Sequence, residues 1–316
     1  KLQHPKLKSY HNKQDTLALQ KQLQGLQHIA VLGAGVQGME TCYELLKMGK
    51  QVALFDPHEV PLSRLKSSYI STYLKNDLVE RGVRCHWQQR ITQFTGSVLE
   101  NFDLTICCFG TKPATDLFPK NAELQENLLL APQVFACGDN VTYQAPASHS
   151  DTGHCALWHE AMDLGQLAGQ NAARLAKGAG VAELAAIQRK PYRTKIEIAD
   201  KILFLAPPIP APQSAEPGLY REKHFFVSPP SAAHAAHAAH AAHASNGPPP
   251  PQGDYYQFFL DSHGKLLGAS LLCTERELLK PLQQAVWQQM DCARACTALN
   301  IPERAEFDGL FVPCPQ

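Results

Sequence analysis

Apolar positions in the first third of the chain come in short compact runs, separated by stretches whose apolar residues recur at helical spacing. His28 to Leu32 (HIAVL) and Gln51 to Phe55 (QVALF) are apolar at nearly every position, a pattern that suits strands covered on both faces. Between them, Val36 to Met48 is predicted as a helix ended by Gly49. A longer helix is predicted after Pro61, running to about Arg81 and stopped by Gly82, with Val83 to Trp87 extended beyond it. Upstream, Leu17, Leu19, Leu23 and Leu26 stand among polar residues, so Ser9 to Gly25 reads as a short amphipathic helix leading into the first strand. Strand, helix, strand, helix, strand is the order of a parallel sheet with helical crossovers. Asp103 to Phe109 (DLTICCF) reads as a further buried strand ending in a glycine turn. Gln133 to Cys137 repeats that design ahead of Gly138 and Asp139, and His154 to Lys177 is Ala-rich and amphipathic at helical period.

The pattern breaks at about Pro207 to Gly253, where LAPPIPAPQ and PPPPQG flank SAAHAAHAAHAAHA. Proline-rich flanks do not join a sheet interior, so this stretch is expected to be a linker or solvated insertion. Beyond it, Tyr255 to Leu260, a turn at Asp261 to Gly264 and Lys265 to Leu272 predict a β-hairpin, followed by a helix around Pro281 to Cys296. The expected fold class is therefore α/β. A lead-in at 1–26 precedes a Rossmann-type domain at 27–112, a second unit at 113–180, and a C-terminal α+β domain at 185–316 that carries the insertion.

Composition narrows the function classes. Lys plus Arg and Asp plus Glu number 29 each, so no excess charge draws the chain to nucleic acid or an anionic membrane. The ten cysteines lack zinc-ribbon spacing, which fits thiols of a reducing cytosol better than a disulfide framework. No apolar run approaches the roughly 18 residues of a spanning helix, and the polar start is no signal peptide, so a cytoplasmic protein is expected. The first residue is Lys, which suggests a fragment or a processed chain.

The strongest chemical signal is HIAVLGAGVQGME. Gly33, Gly35 and Gly38 satisfy G-x-G-x-x-G after a strand and at the start of a helix, with Ala34, Val36 and Gln37 between them. The first glycine allows the turn, the second lets backbone approach a pyrophosphate, and the third lets helix pack on strand. Free N–H groups at the helix start face the phosphates. Asp56 follows 23 residues after Gly33 at the end of the second strand. Its carboxylate suits ribose hydroxyls and repels a 2′-phosphate, and no Arg or Lys follows until Arg64, so NADH is expected over NADPH. A second glycine pair, Gly178 and Gly180 in AKGAGVAEL, follows helix instead of strand and has Glu183 where the third glycine would stand. It is expected to be a helix end.

With that motif in hand, GAGVQGME, CCFGTKPATDLF, VFACGDN and a helix of the form W-x-x-A-x-x-x-G-x-x-A-x-x-N follow in an order that resembles the FAD/NAD-dependent pyridine nucleotide-disulfide oxidoreductase family. These two-nucleotide-domain flavoproteins include rubredoxin reductase, flavorubredoxin reductase, ferredoxin reductases and apoptosis-inducing factor. PYRTKIEIADKILFLAPPIP with YYQFFLDSHGKLLGASL is most similar to the rubredoxin reductases. The resemblance implies an NADH-dependent flavoprotein oxidoreductase with NAD(H) and FAD as cofactors. Hydride would pass from NADH to flavin, and electrons to a small iron-sulfur carrier of the rubredoxin or ferredoxin type. The cofactors carry that chemistry, so no catalytic acid or base is named.

Residue by residue, Glu40 matches the acid near the nicotinamide, and Gly110 matches the glycine of the strand-end motif that closes the NAD domain. Gly138 and Asp139 match the pair whose aspartate bonds the flavin ribityl chain. Trp158 falls where several members place an aromatic near the flavin ring, with core packing the alternative. Lys195 aligns with a lysine of the C-terminal domain that approaches the flavin, with a solvated charge the alternative. The family's FAD domain is split around its NAD domain. Its first half would precede residue 1, and the stretch between Phe118 and Gln133 is shorter than in the family, so a strand or hairpin is expected to be deleted. Residues 113–180 are therefore expected to expose apolar faces. The isolated chain is expected to hold NADH with weak or no flavin. The alternative is an NADH-binding protein without turnover, similar to apoptosis-inducing factor, or a degenerate paralogue.

Three smaller groupings carry less. His234, His237, His240 and His243 step by three, about 60° each on a helix, so only neighbours could share a metal ion, and a linker is the reading. His149, Asp151, His154 and His159 show no recurring ligand spacing and read as a polar loop. Cys292 and Cys296 share a helical face, but C-x-x-x-C is not the C-x-x-C of a thiol redox centre.

Overall fold

The structure is a computed structural model. It describes residues 4–63, 67–94, 97–118, 124–141, 157–187, 194–198, 201–206, 221–227, 254–274, 276–301 and 306–307. The His-Ala repeat, His149, Asp151, His154 and Arg64 lie outside the described residues.

The first unit is a parallel sheet of β1 (Leu7–Lys8), β2 (His28–Leu32), β3 (Gln51–Phe55), β4 (Arg84–His86) and β5 (Leu104–Cys107), in the order β1-β5-β2-β3-β4. Its central strands β2, β3 and β5 are mostly apolar because both faces are covered. Ile29, Val31, Val52, Leu54, Leu104 and Ile106 pack on one face, with residues of α2 (Val36–Lys47) and α3 (Ser68–Glu80). Ala30, Leu32, Ala53 and Phe55 pack on the other, against Phe94, Leu99 and Phe102. This is the sheet expected from the alternation of strands and helices. The lead-in differs: α1 is confined to Lys13–Leu23, capped by Asn12, which accepts from the Asp15 N–H at 2.8 Å. Leu7 and Lys8 pair with Thr105 and Ile106 as an edge strand. Two residues carry no periodicity, so nothing in the sequence marks β1.

In the second unit β6 (Leu129–Ala131) pairs antiparallel with β7 (Val134–Phe135), and α4 (Trp158–Ala176) packs Leu164 and Ala168 against Leu128, Ala136 and Val141. Fully buried Asn171 fastens α4, donating to the Asn127 and Ala185 carbonyls and accepting from the Ala185 N–H. The strand expected at Gln133 to Cys137 is shorter, and its partner β6 was not foreseen. The helix ends at Gly178, with φ +92° and its N–H on the Leu175 carbonyl, so the second glycine pair is a helix end.

The third unit is an antiparallel sheet of β8 (Thr194–Ile198), β9 (Lys201–Ala206), β10 (Arg221–Val227), β11 (Asp254–Leu260), β12 (Leu266–Cys273) and β13 (Glu306–Phe307), ordered β13-β10-β11-β12-β9-β8. The β11-β12 hairpin is as expected, its turn held by Asp261, which accepts from the His263 and Lys265 N–H groups. β10 corrects the reading of 207–253 as a linker throughout. REKHFFV pairs along its whole length with β11, because a seven-residue segment with three apolar residues at its end suffices when neighbours supply the ladder. The single helix expected at Pro281 to Cys296 is two, α5 (Leu279–Trp287) and α6 (Cys292–Ala298). Gln289 at φ +47° breaks the run, and Asp291 caps α6 by accepting from Ala293 and Arg294. One sheet face packs Phe204, Phe258 and Leu271 on α5 and α6. The other brings Ile196, Leu203 and Tyr255 onto α2 and α3, where the Tyr255 and Tyr69 rings lie 4.2 Å apart.

Candidate functional site

The C-terminal edge of the parallel sheet has its topological switch point between β2 and β5, where neighbouring crossovers leave in opposite directions. Gly33 lies there with φ +100°, and its N–H donates to the Phe55 carbonyl at 2.8 Å. A Cβ on Gly33 would come within 2.6 Å of the Cys108 carbonyl oxygen, so glycine is required by both conformation and space. A Cβ on Gly38 would overlap the Gly33 carbonyl, which fixes the close seat of α2 on the turn. Gly35 is different. Its φ of −72° suits any residue, and a Cβ there would meet nothing within 4 Å. No packing within the protein demands this glycine, and it is exposed at the mouth of α2. Gly35 is the N-cap of α2 without a side-chain bond to the first turn, so the N–H groups around Val36 and Gln37 face that open space. The fit to a pyrophosphate is therefore good: backbone donors, a positive helix end, and room where a methyl group would intrude.

Asp56 closes the other side. Its carboxylate is buried, with Oδ2 accepting from the Ala34 N–H at 2.6 Å and Oδ1 from the His58 N–H at 2.8 Å. The His58 ring nitrogen Nδ1 also lies 2.8 Å from Oδ1. Backbone bonds join the β3 and β4 ends, from Asp56 to the His86 carbonyl, from Gln89 to the Asp56 carbonyl, and from Gln88 to the His58 carbonyl. His58 was not singled out in the sequence. The signal available was its position two residues after the strand-end acid.

On α2, Gln37 donates to the Tyr10 carbonyl at 3.3 Å, and the Tyr10 hydroxyl meets Thr41 Oγ1 at 2.8 Å, tying the lead-in to the fingerprint helix. Half-buried Glu40 titrates above the usual carboxylate range, first through burial, then through repulsion from Glu44 and Glu197. Lys195, on β8, pairs with Glu197 at 3.0 Å, and Arg276 reaches the same carboxylate at 2.8 Å. Gly110, at φ +81°, is exposed just after β5, whose register is continued by the Cys108 N–H on the Leu32 carbonyl.

The structure thus gathers Gly33 to Gly38, Asp56 and Gly110 at one sheet edge, with Glu40 further along α2 and Lys195 near it through Glu197. Gly138, Asp139 and Trp158 belong instead to the second unit. Gly138 has φ +83°, Asp139 is exposed, and Trp158 is 71% exposed, so it is not a core side chain. The thiols nearest the turn are not poised for nucleophilic work. Burial pushes Cys107 and Cys108 up to about 11, and Cys42 above its usual value. Cys292 and Cys296 are buried against the third sheet. No helix among the described residues is long and apolar enough to cross a membrane.

The sequence profile of the pyridine nucleotide-disulphide oxidoreductases matches residues 3–165. The chain belongs to the pyridine nucleotide-disulphide oxidoreductase family. Among curated relatives, it is 26% identical over 164 residues to an NADH oxidase of Enterococcus faecalis, covering 45% of this chain and 36% of that protein. It is 29% identical over 154 residues to the nitric oxide reductase FlRd-NAD(+) reductase of Aeromonas salmonicida, covering 42% and 39%. Among solved structures, the water-forming NADH oxidase of Lactobacillus brevis bound to NADH superposes with a TM-score of 0.65 at 18% identity, covering 94% of this chain and 63% of that one. That likeness shows a shared fold over 94% of this chain. The chain spans about two fifths or less of the first curated relatives' length.

Proposed function

We propose that this chain is the dinucleotide-binding and C-terminal part of an FAD-dependent NADH oxidoreductase that passes electrons to a small iron-sulfur carrier such as a rubredoxin. The observation that carries the reading is Gly35, a glycine that nothing in the protein requires, set where a pyrophosphate would rest on α2. Gly33 and Gly38 build the turn, Val36 and Gln37 offer backbone N–H groups, and the Ala34 N–H, taken by Asp56, holds the turn to the end of β3. Glu40 lies toward the nicotinamide half of the site, with Lys195 across the α2-β8 contact, and Gly110 closes the edge beside β5. FAD, when bound, accepts hydride from NADH and divides the pair into single electrons. Gly138, Asp139 and Trp158 would meet it from the second unit. Both side chains are exposed, so neither is spent on this chain's own core.

The domain division at 27–112, 113–180 and 185–316 is part of the same proposal, as is a cytoplasmic setting. The E. faecalis and A. salmonicida relatives support the NADH-dependent activity by their names, and the latter supports an electron-carrier partner. The test is a calorimetric titration of the purified chain with NADH, read beside its absorption spectrum. Saturable binding at one site is expected, with weak or no flavin absorbance. Absence of NADH binding contradicts the reading, and stoichiometric flavin contradicts the need for further strands around the FAD.

A further inference from the structure

The Asp56 carboxylate is turned into the protein. It is 6% exposed, and its two oxygens take the Ala34 amide, the His58 amide and the His58 ring. His58, three residues past the end of β3, stands outward and is 57% exposed. Its placement is fixed on three sides: the amide donates to Asp56, the carbonyl accepts from the Gln88 N–H at 3.0 Å, and Nδ1 lies on Asp56 Oδ1. A carboxylate only accepts, so Nδ1 carries the proton in that bond. In the neutral ring the other nitrogen, Nε2, is then a lone-pair acceptor. A hydroxyl meeting Nε2 donates to it, whereas a phosphate meets a lone pair with the Asp56 charge behind it.

We propose that His58 is the specificity-determining residue of the dinucleotide site, its Nε2 accepting the 2′-hydroxyl of the adenosine ribose, with Asp56 the positioning residue that sets ring and tautomer. This rests on the reading of the fingerprint as an NADH site. It makes the preference for NADH a matter of which ring nitrogen holds the proton.

The experiment titrates the full chain with NADH, 2′-deoxy-NADH and NADPH, by calorimetry. His58→Ala, at an exposed position, is expected to weaken NADH about fivefold, the size of one neutral hydrogen bond, and to leave 2′-deoxy-NADH unchanged. His58→Lys is expected to raise NADPH affinity about tenfold or more without affecting 2′-deoxy-NADH. Asp56→Ala, which frees the ring, is expected to lessen the discrimination between NADH and 2′-deoxy-NADH only while His58 is present, with no further loss in the double variant. Equal weakening of NADH and 2′-deoxy-NADH by His58→Ala, or no weakening, overturns the assignment. Failure of the unaltered chain to bind any of the three overturns the NADH-site reading itself, a result distinct from binding without 2′ discrimination.

Discussion

A methyl group on Gly38 would run into the Gly33 carbonyl, while one on Gly35 would stand in open space, though both glycines belong to one fingerprint. The two variants should therefore part company. Gly38→Ala is expected to cost about 1–3 kcal/mol or more of stability, through forced separation of α2 from the turn. Gly35→Ala is expected to unfold within about 0.5 kcal/mol of the parent chain. Chemical denaturation distinguishes them. Asp56→Ala frees the Ala34 amide and the His58 ring together, and NADH affinity should fall about tenfold or more by calorimetry.

Glu40 carries a pH signature. Burial and the neighbouring Glu44 and Glu197 raise its folded-state pKa above the unfolded value, so its charged form opposes folding. That cost is complete above the raised pKa and disappears as the pH falls through it to below the ordinary carboxylate range. Glu40→Gln should accordingly raise the melting temperature at pH 7 to 8, with the difference shrinking toward pH 4. An equal difference at both ends would contradict the assignment.

At the scale of elements, α2 joins most of the site: its start faces the nucleotide position, its core face packs Met39, Cys42 and Leu45, and its flank receives β8. What made β2, α2 and β3 legible was two-sided burial, which removes polar residues from strands, and the glycines, whose spacing is set by backbone contacts only glycine permits. β1 and β6 were illegible because two or three residues have no period to read, and their pairing is supplied by neighbours. The break between α5 and α6 was hidden because Gln289 takes a left-handed conformation with no glycine to announce it. β10 was masked by the low-complexity sequence around it. Of the site, the fingerprint and Asp56 were readable. The burial of that carboxylate and the outward place of His58 were not, since both depend on bonds made across two loops. The packing of the third sheet is testable at Leu282, fully buried against β9 and β12 partners. Leu282→Ala should cost about 2–5 kcal/mol in denaturant unfolding.

Across the molecule, exposed apolar side chains are unevenly spread. Of the eleven large ones among the described residues, four belong to the second unit at 113–180: Leu117, Val134, Trp158 and Met162, with Phe109 and Val181 just outside it. Trp158 lies among the residues proposed to meet flavin, and this group offers an open apolar face. Anilinonaphthalene sulfonate should bind the native chain with enhanced fluorescence, and Leu117→Lys with Trp158→Lys should reduce that signal by more than half. No enhancement with the parent chain would contradict the open face.

The central claim is that the turn from Gly33 to Gly38 holds a dinucleotide pyrophosphate, and calorimetric titration of NADH into the parent chain and Gly35→Ala tests it most directly. One saturable site in the parent and affinity weaker by about tenfold or more in an equally stable variant is the predicted result. No binding to the parent, or the same affinity in both, would contradict it.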